Sequence, residues 1–151
     1  MLLHRVVEID PDDPDTVEVP FAGPSVCAGF PSPADDFQEE AVSLPRWIAP
    51  NPPATYLWRV HGVSVIGAGI HDGDIVVVDR SLRPVPGDVV LAIIDGVASL
   101  KRYRREGARA VLAFDNPDLP AEPIEDIGEA TVWGVVSTNL RLLRPLRRVR
   151  G

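Results

Sequence analysis

The sequence predicts a mostly β domain, closed or folded over on itself, with a flexible N-terminal arm and one short helix. Three observations predict it. From Thr55 onward, short aromatic and β-branched runs recur with turn-forming clusters between them. Asp95–Gly96 stands between two of these runs, the dipeptide that a two-residue hairpin turn favours. Proline recurs at positions 11, 14, 20, 24, 31 and 33, where it removes amide donors and fixes φ.

The elements follow in chain order. Residues 1–33 read as an extended, mobile arm, with a short strand possible over residues 2–9. Residues 34–48 read as a helix: Asp35 and Asp36 suit its start, and Phe37, Ala41 and Leu44 fall on one face. Pro45 interrupts it, and residues 49–53 (APNPP) form a rigid connector. Strands are then expected at 56–60 (YLWRV), 75–79 (IVVVD), 89–95 (VVLAIID), 97–103 (VASLKRY), 108–114 (ARAVLAF) and 131–137 (TVWGVVS). The turns between them lie at 71–74, 83–88, 95–96, 105–107 and 115–120. The expected organisation is an arm at 1–28, a linker with the short helix at 29–54, and a β-rich domain at 55–151.

Composition bounds the function. A chain of 151 residues is long enough for one domain with a real core. Its single cysteine, Cys27, excludes an internal disulfide framework and a cysteine metal cluster. Charged residues or glycines interrupt each apolar stretch before it reaches membrane-spanning length, and the first residues lack the pattern of a secretory leader. A soluble protein of a reducing compartment is the expectation. The net charge of −7 argues against general nucleic-acid binding by the whole chain. Charge is nevertheless uneven. Six acids crowd the first 20 residues, while Lys101, Arg102, Arg104 and Arg105 form one basic cluster and Arg141, Arg144, Arg147, Arg148 and Arg150 a second. These are solvated faces or a surface for a partner.

Two residues could carry chemistry. Ser64 lies in residues 61–74 (HGVSVIGAGIHDGD), where Gly62, Gly67, Gly69 and Gly73 permit tight turns or a loop of amides able to hold an oxyanion. A serine there is a turn residue or a nucleophile. Lys101 lies in a strand whose alternation sets Val97, Ser99 and Lys101 on one face and Ala98, Leu100 and Arg102 on the other. It is a strand-end lysine reaching solvent, or a desolvated lysine whose lowered pKa lets it accept a proton from serine. His61 and His71 bracket Ser64, but Gly62-Val63-Ser64-Val65-Ile66 does not match a nucleophile-elbow motif. Neither histidine has an established zinc spacing.

The chain resembles the LexA/UmuD family of self-cleaving serine peptidases, on the UmuD branch. The resemblance rests on CAGFPSPADDF at 27–37, PPATYLWRVHGVSVIGAGIHDGDIVVVDRS at 52–81, PGDVVLAIIDGVASLKRY at 86–103, FDNPDLP at 114–120 and VWGVVS at 132–137. It runs from about residue 20 to the end, with no helix-turn-helix ahead of it, which sets it apart from the repressor branch. The resemblance implies a LexA/signal-peptidase-like fold, Ser64 as nucleophile, Lys101 as general base, and a scissile bond between Ala28 and Gly29, preceded by Cys27. Gly62, Val63 and Val65 would support the loop or the oxyanion. No metal or cofactor is implied. The family is cytoplasmic and acts in the SOS response to DNA damage. Its cleavage is stimulated by the RecA filament on single-stranded DNA. The cut form is a homodimer that joins a Y-family, UmuC-like polymerase in translesion synthesis. No membrane partner and no sequence-specific DNA binding are implied. The family usually has Gly-Asp-Ser-Met at the nucleophile, so here Val63 replaces an acid and Val65 a methionine. A non-cleaving dimeric accessory or regulatory protein of the same fold is the alternative.

Overall fold

The computed structural model describes residues 14–22, 41–62, 65–119 and 131–144. These fold into two antiparallel sheets. The larger has six strands in the order β3-β4-β8-β5-β6-β7, namely β3 (Thr55–Arg59), β4 (Ile75–Asp79), β8 (Thr131–Leu140), β5 (Val89–Ile94), β6 (Val97–Glu106) and β7 (Arg109–Ala113). The smaller pairs β1 (Thr16–Val19) with β2 (Val42–Pro45). All six strand runs expected beyond Thr55 are present within a few residues of their expected ends.

Alternation explains how the core is divided. Every residue of β4 is buried. Val76 and Val78 enter one apolar cluster with Leu91 and Leu100, while Ile75 and Val77 enter another with Leu57, Leu44 and Val19. A strand covered on both faces has no polar side to write into its sequence, so it appears as the unbroken run IVVVD. A third cluster gathers Val90, Ala92, Leu112 and Val135 where β5, β7 and β8 meet. Full burial of each valine, leucine or isoleucine side chain among these contributes about 1.5–3 kcal/mol.

Local chemistry sets the connections. Asp95 (φ 50°) and Gly96 (φ 77°) both take left-handed backbone and join β5 to β6, with Ile94 opposite Val97. This is the tight hairpin that Asp95–Gly96 predicts. The register of β8 slips against β4 between Val77 and Val78, and against β5 between Leu91 and Ala92. Such bulges bend and twist a sheet, which helps this one fold over its core.

Two expectations are corrected. Residues 42–45 form β2 rather than the end of a helix, with Leu44 buried on a strand. Residue 41 and residues 46–48 are not helical either, while 34–40 lies outside the described residues, as does the possible strand at 2–9. Part of the arm, extended as expected, is also packed into the fold rather than mobile. Thr16–Val19 pairs with β2, Val19 is fully buried, and the chain then follows the edge of β3. There Leu57 N–H donates to Pro20 O (2.9 Å) and Ala22 N–H donates to Leu57 O (3.0 Å). The apolar residues Val17, Val19 and Phe21 give this stretch a face to bury, and that outweighs its flanking prolines.

Candidate active site

The loop between β3 and β4, residues 60–74, carries the expected nucleophile. Its base is closed by Val60 N–H to Asp74 O and Gly73 N–H to Val60 O, both 2.8 Å. Gly62, at φ 94°, donates its amide to Asp72 Oδ1 at 2.8 Å. That amide is therefore engaged within the loop itself. Val65 is almost completely buried in the cluster that also holds Leu100, the residue before Lys101. The residues flanking Ser64 and Lys101 thus share one apolar core. Apolar character at position 65 is what this packing requires, and valine meets it. Ile66–Ala68 then make a single 3-10 turn that ends on Gly69.

Asp74 anchors the far end of the loop. It is 2 % exposed. Arg141 Nε donates to Oδ1 (2.8 Å) and Nη2 to Oδ2 (2.7 Å). Asn139 Nδ2 and the His71 amide also donate to Oδ2. The Arg141 hydrogen bonds hold the Asp74 carboxyl well below the ordinary carboxylate range, against the opposing pull of burial. Arg141 Nη2 also reaches Gly69 O at 2.7 Å. Arg141, read from sequence as part of a basic tail, is therefore the clamp of this loop. Asp79 at the end of β4 is a second internal carboxylate. Burial alone would raise its pKa, but hydrogen bonds from the Ser81 hydroxyl and amide and from Asn51 lower it.

Lys101 lies on β6 opposite Val90. It is 5 % exposed. Its Nζ donates to Ser99 Oγ at 2.6 Å and stands 4.1 Å from the centre of the Phe114 ring. Ser99 and Lys101 share a face, as alternation predicts. Desolvation pushes the Lys101 pKa below its usual value, because burial penalises the ammonium form. Lys101 is thus buried rather than a strand-end lysine reaching solvent.

The loop and β6 are connected through Asp115. Its main-chain O accepts the Gly67 N–H at 2.6 Å, and its carboxylate pairs with Arg102, whose Nε is 2.9 Å from Oδ2. Val63 and Ser64 lie outside the described residues, as do Cys27, Ala28 and Gly29. Among the expected site residues, the structure therefore places Gly62, Val65 and Lys101. Ser99 was legible as a neighbour of Lys101. Asp74, Arg141, Phe114 and Asp115 were not, because their partners lie far away in sequence.

A family model described as Peptidase S24-like matches residues 20–137. Protein MucA of Salmonella typhimurium is 38 % identical over 123 residues, covering 81 % of this chain and 84 % of that protein. Protein ImpA of Escherichia coli is 35 % identical over 139 residues, covering 91 % and 94 %. The LexA repressor of Acidothermus cellulolyticus is 40 % identical over 131 residues, covering 87 % of this chain and 46 % of the repressor.

Proposed function

The chain belongs to the Peptidase S24-like family, and from that premise we propose that it cuts itself between Ala28 and Gly29 with a Ser64–Lys101 dyad. The observation that carries this reading is the state of Lys101. A lysine this buried, met among the described residues by a hydroxyl and an aromatic ring, is neutral more often than an exposed one. It can therefore serve as a base.

The steps balance without a cofactor. Neutral Lys101 Nζ takes the proton of Ser64 Oγ as Oγ bonds to the Ala28 carbonyl carbon. The tetrahedral intermediate collapses, the C–N bond to Gly29 breaks, and the Lys101 ammonium gives its proton to the departing amine. Water, deprotonated by Lys101, then bonds to the Ala28 carbonyl carbon, the C–Oγ bond breaks, Lys101 returns the proton to Ser64 Oγ, and the new Ala28 carboxyl group ionises into solvent. In this scheme Val63 and Val65 support the loop. Oxyanion donors come from amides other than that of Gly62, whose N–H is held by Asp72.

The wider role proposed here is that of a UmuD-like SOS protein. A RecA filament on single-stranded DNA stimulates the cut. The product is a homodimer serving as accessory to a Y-family, UmuC-like polymerase in the cytoplasm. Similarity to MucA and ImpA over most of both chains supports placement beside these proteins rather than beside the longer repressor.

Incubating the purified chain at pH 7 and pH 10, with and without activated RecA filament, and taking denatured intact masses tests the chemistry. Fragments 1–28 and 29–151 are expected, forming faster at pH 10, and neither Ser64→Ala nor Lys101→Ala produces them. Absence of the 29–151 fragment under all conditions would overturn the reading in favour of a non-cleaving accessory protein.

A further inference from the structure

Phe114 and Asp115 follow β7 directly and divide between the two halves of the site. Phe114 lies over the Lys101 ammonium. Asp115 reaches the other way, accepting the Gly67 amide on its main chain and the Arg102 guanidinium on its carboxylate. Arg102 is the next residue after Lys101 on β6, and its Nη1 is fixed from another side by Gly87 O at 2.6 Å. We propose that Asp115 is a positioning residue for self-cleavage, holding the loop that carries Ser64 against the strand that carries Lys101. The assignment rests on the Ser64–Lys101 reading above.

The geometry of Gly67 supports it. Unlike Gly62, Gly69 and Gly73, Gly67 has no positive φ. What it needs is space, because a Cβ there would stand 2.8 Å from both Asp115 Cγ and Asp115 O, and closer still to Oδ1. No real Cβ tolerates such contacts, so loop and carboxylate meet at a separation that only glycine allows. The Arg102 and Asp115 side chains are 23 % and 24 % exposed, so their pairing is partly shielded from solvent. Asp115 is placed to act through the elements it joins. A displacement of about 1 Å between reacting groups can cost about 100-fold in rate, so a contact that fixes two elements without touching the chemistry can still govern it.

The full chain is used for the test. First-order self-cleavage is followed by denatured intact mass from pH 6 to pH 11 for wild type, Asp115→Asn, Asp115→Glu and Lys101→Ala, alongside urea unfolding of each. Asp115→Asn keeps the main-chain acceptor for Gly67 and removes the carboxylate charge that pairs with Arg102. Its rate on the alkaline plateau is expected to fall about tenfold or more per folded molecule. The apparent pKa of the profile should stay where it is in wild type, and Asp115→Glu should recover part of the rate. A plateau within about twofold of wild type overturns the assignment, since positioning losses are larger. So does a loss that disappears on correction for folded fraction, which would mean a merely structural role. A loss appearing only as a shift in apparent pKa also overturns it, because Asp115 would then tune Lys101 rather than place it. A wild-type chain that does not cleave, or a Lys101→Ala chain that does, removes the dyad reading and this assignment with it.

Discussion

Arg141 closes on Asp74 with two nitrogens and two oxygens, a fork-to-fork pairing across 67 residues of sequence. The carboxylate is buried and the guanidinium is 42 % exposed on its side chain, so solvent screens one partner only. The pair joins the exit of β8 to the end of the loop before β4.

Asp74 makes the fold acid-sensitive. Its folded pKa lies below the ordinary 3.8, so the unfolded chain binds the proton more tightly. The stabilisation is complete above the ordinary carboxylate range and erodes as the pH falls through and below it. Asp74→Asn is expected to lose about 2 kcal/mol at pH 7, toward the low end for charged hydrogen bonds because Arg141 is half exposed. The loss should shrink at pH 3, as followed by urea unfolding at the two pH values. Equal losses at both would contradict the assignment of the charge.

Lys101 contributes a cost where Asp74 contributes a gain, with the same direction of pH dependence. Burial lowers its folded pKa below 10.5, so the unfolded chain again holds the extra proton. Folding carries a cost that is full below the folded pKa and fades as the pH rises toward 10.5. Wild-type stability should therefore climb over that alkaline window, apart from the general trend of the other groups. Lys101→Met removes the buried ammonium at similar volume. It is expected to raise stability at pH 7 by about 1 kcal/mol and to flatten the climb, while abolishing cleavage. A destabilised Lys101→Met with an unchanged climb would show that Lys101 is not the titrating group.

Gly134 on β8 faces Val78, and a Cβ at this position would stand 2.6 Å from Val78 Cγ1. Gly134→Ala must push apart β4 and β8 beside a register shift. A cost of about 1–3 kcal/mol is expected from overpacking. Thermal unfolding of the variant checks it, and a melting point equal to wild type would mean that the sheet yields freely there.

The hairpin at Asp95–Gly96 gives a milder contrast. Gly96→Ala puts a side chain on left-handed backbone and should cost about 1 kcal/mol, whereas Asp95→Asn, at φ 50°, should be neutral or slightly stabilising. Denaturant midpoints measured side by side would reveal the asymmetry.

Where contacts are local, the sequence announces them. The β5–β6 hairpin is written in two adjacent residues, and the runs at β4 and β5 reflect strands covered on both faces. Lys101 and Ser99 were placed together by alternation alone. Partners distant in sequence defeat this kind of reading. Phe37, Ala41 and Leu44 have helical spacing, yet Leu44 belongs to a strand because Val17 lies opposite it. Nothing in residues 34–48 reveals that partner. Arg141 looks like one more arginine of a basic tail until Asp74 is brought to it. Gly67 resembles the flexible glycines around it, but close approach, visible only in the folded chain, is what it serves.

The β1–β2 pairing changes what a cut in the intervening segment accomplishes. Val19 lies opposite Val42, and Ala22 is bonded to Leu57, so the two ends of residues 23–40 are tied side by side. A break anywhere in that segment yields a nicked protein whose N-terminal piece is held as a bound peptide ligand, with its own Val19 buried against Leu44 and Leu57. Hydrolysis and departure then become separate events with separate clocks. The first is set by bond chemistry. The second is set by a dissociation half-life, open to competition from any other strand able to occupy the vacated edge of β3.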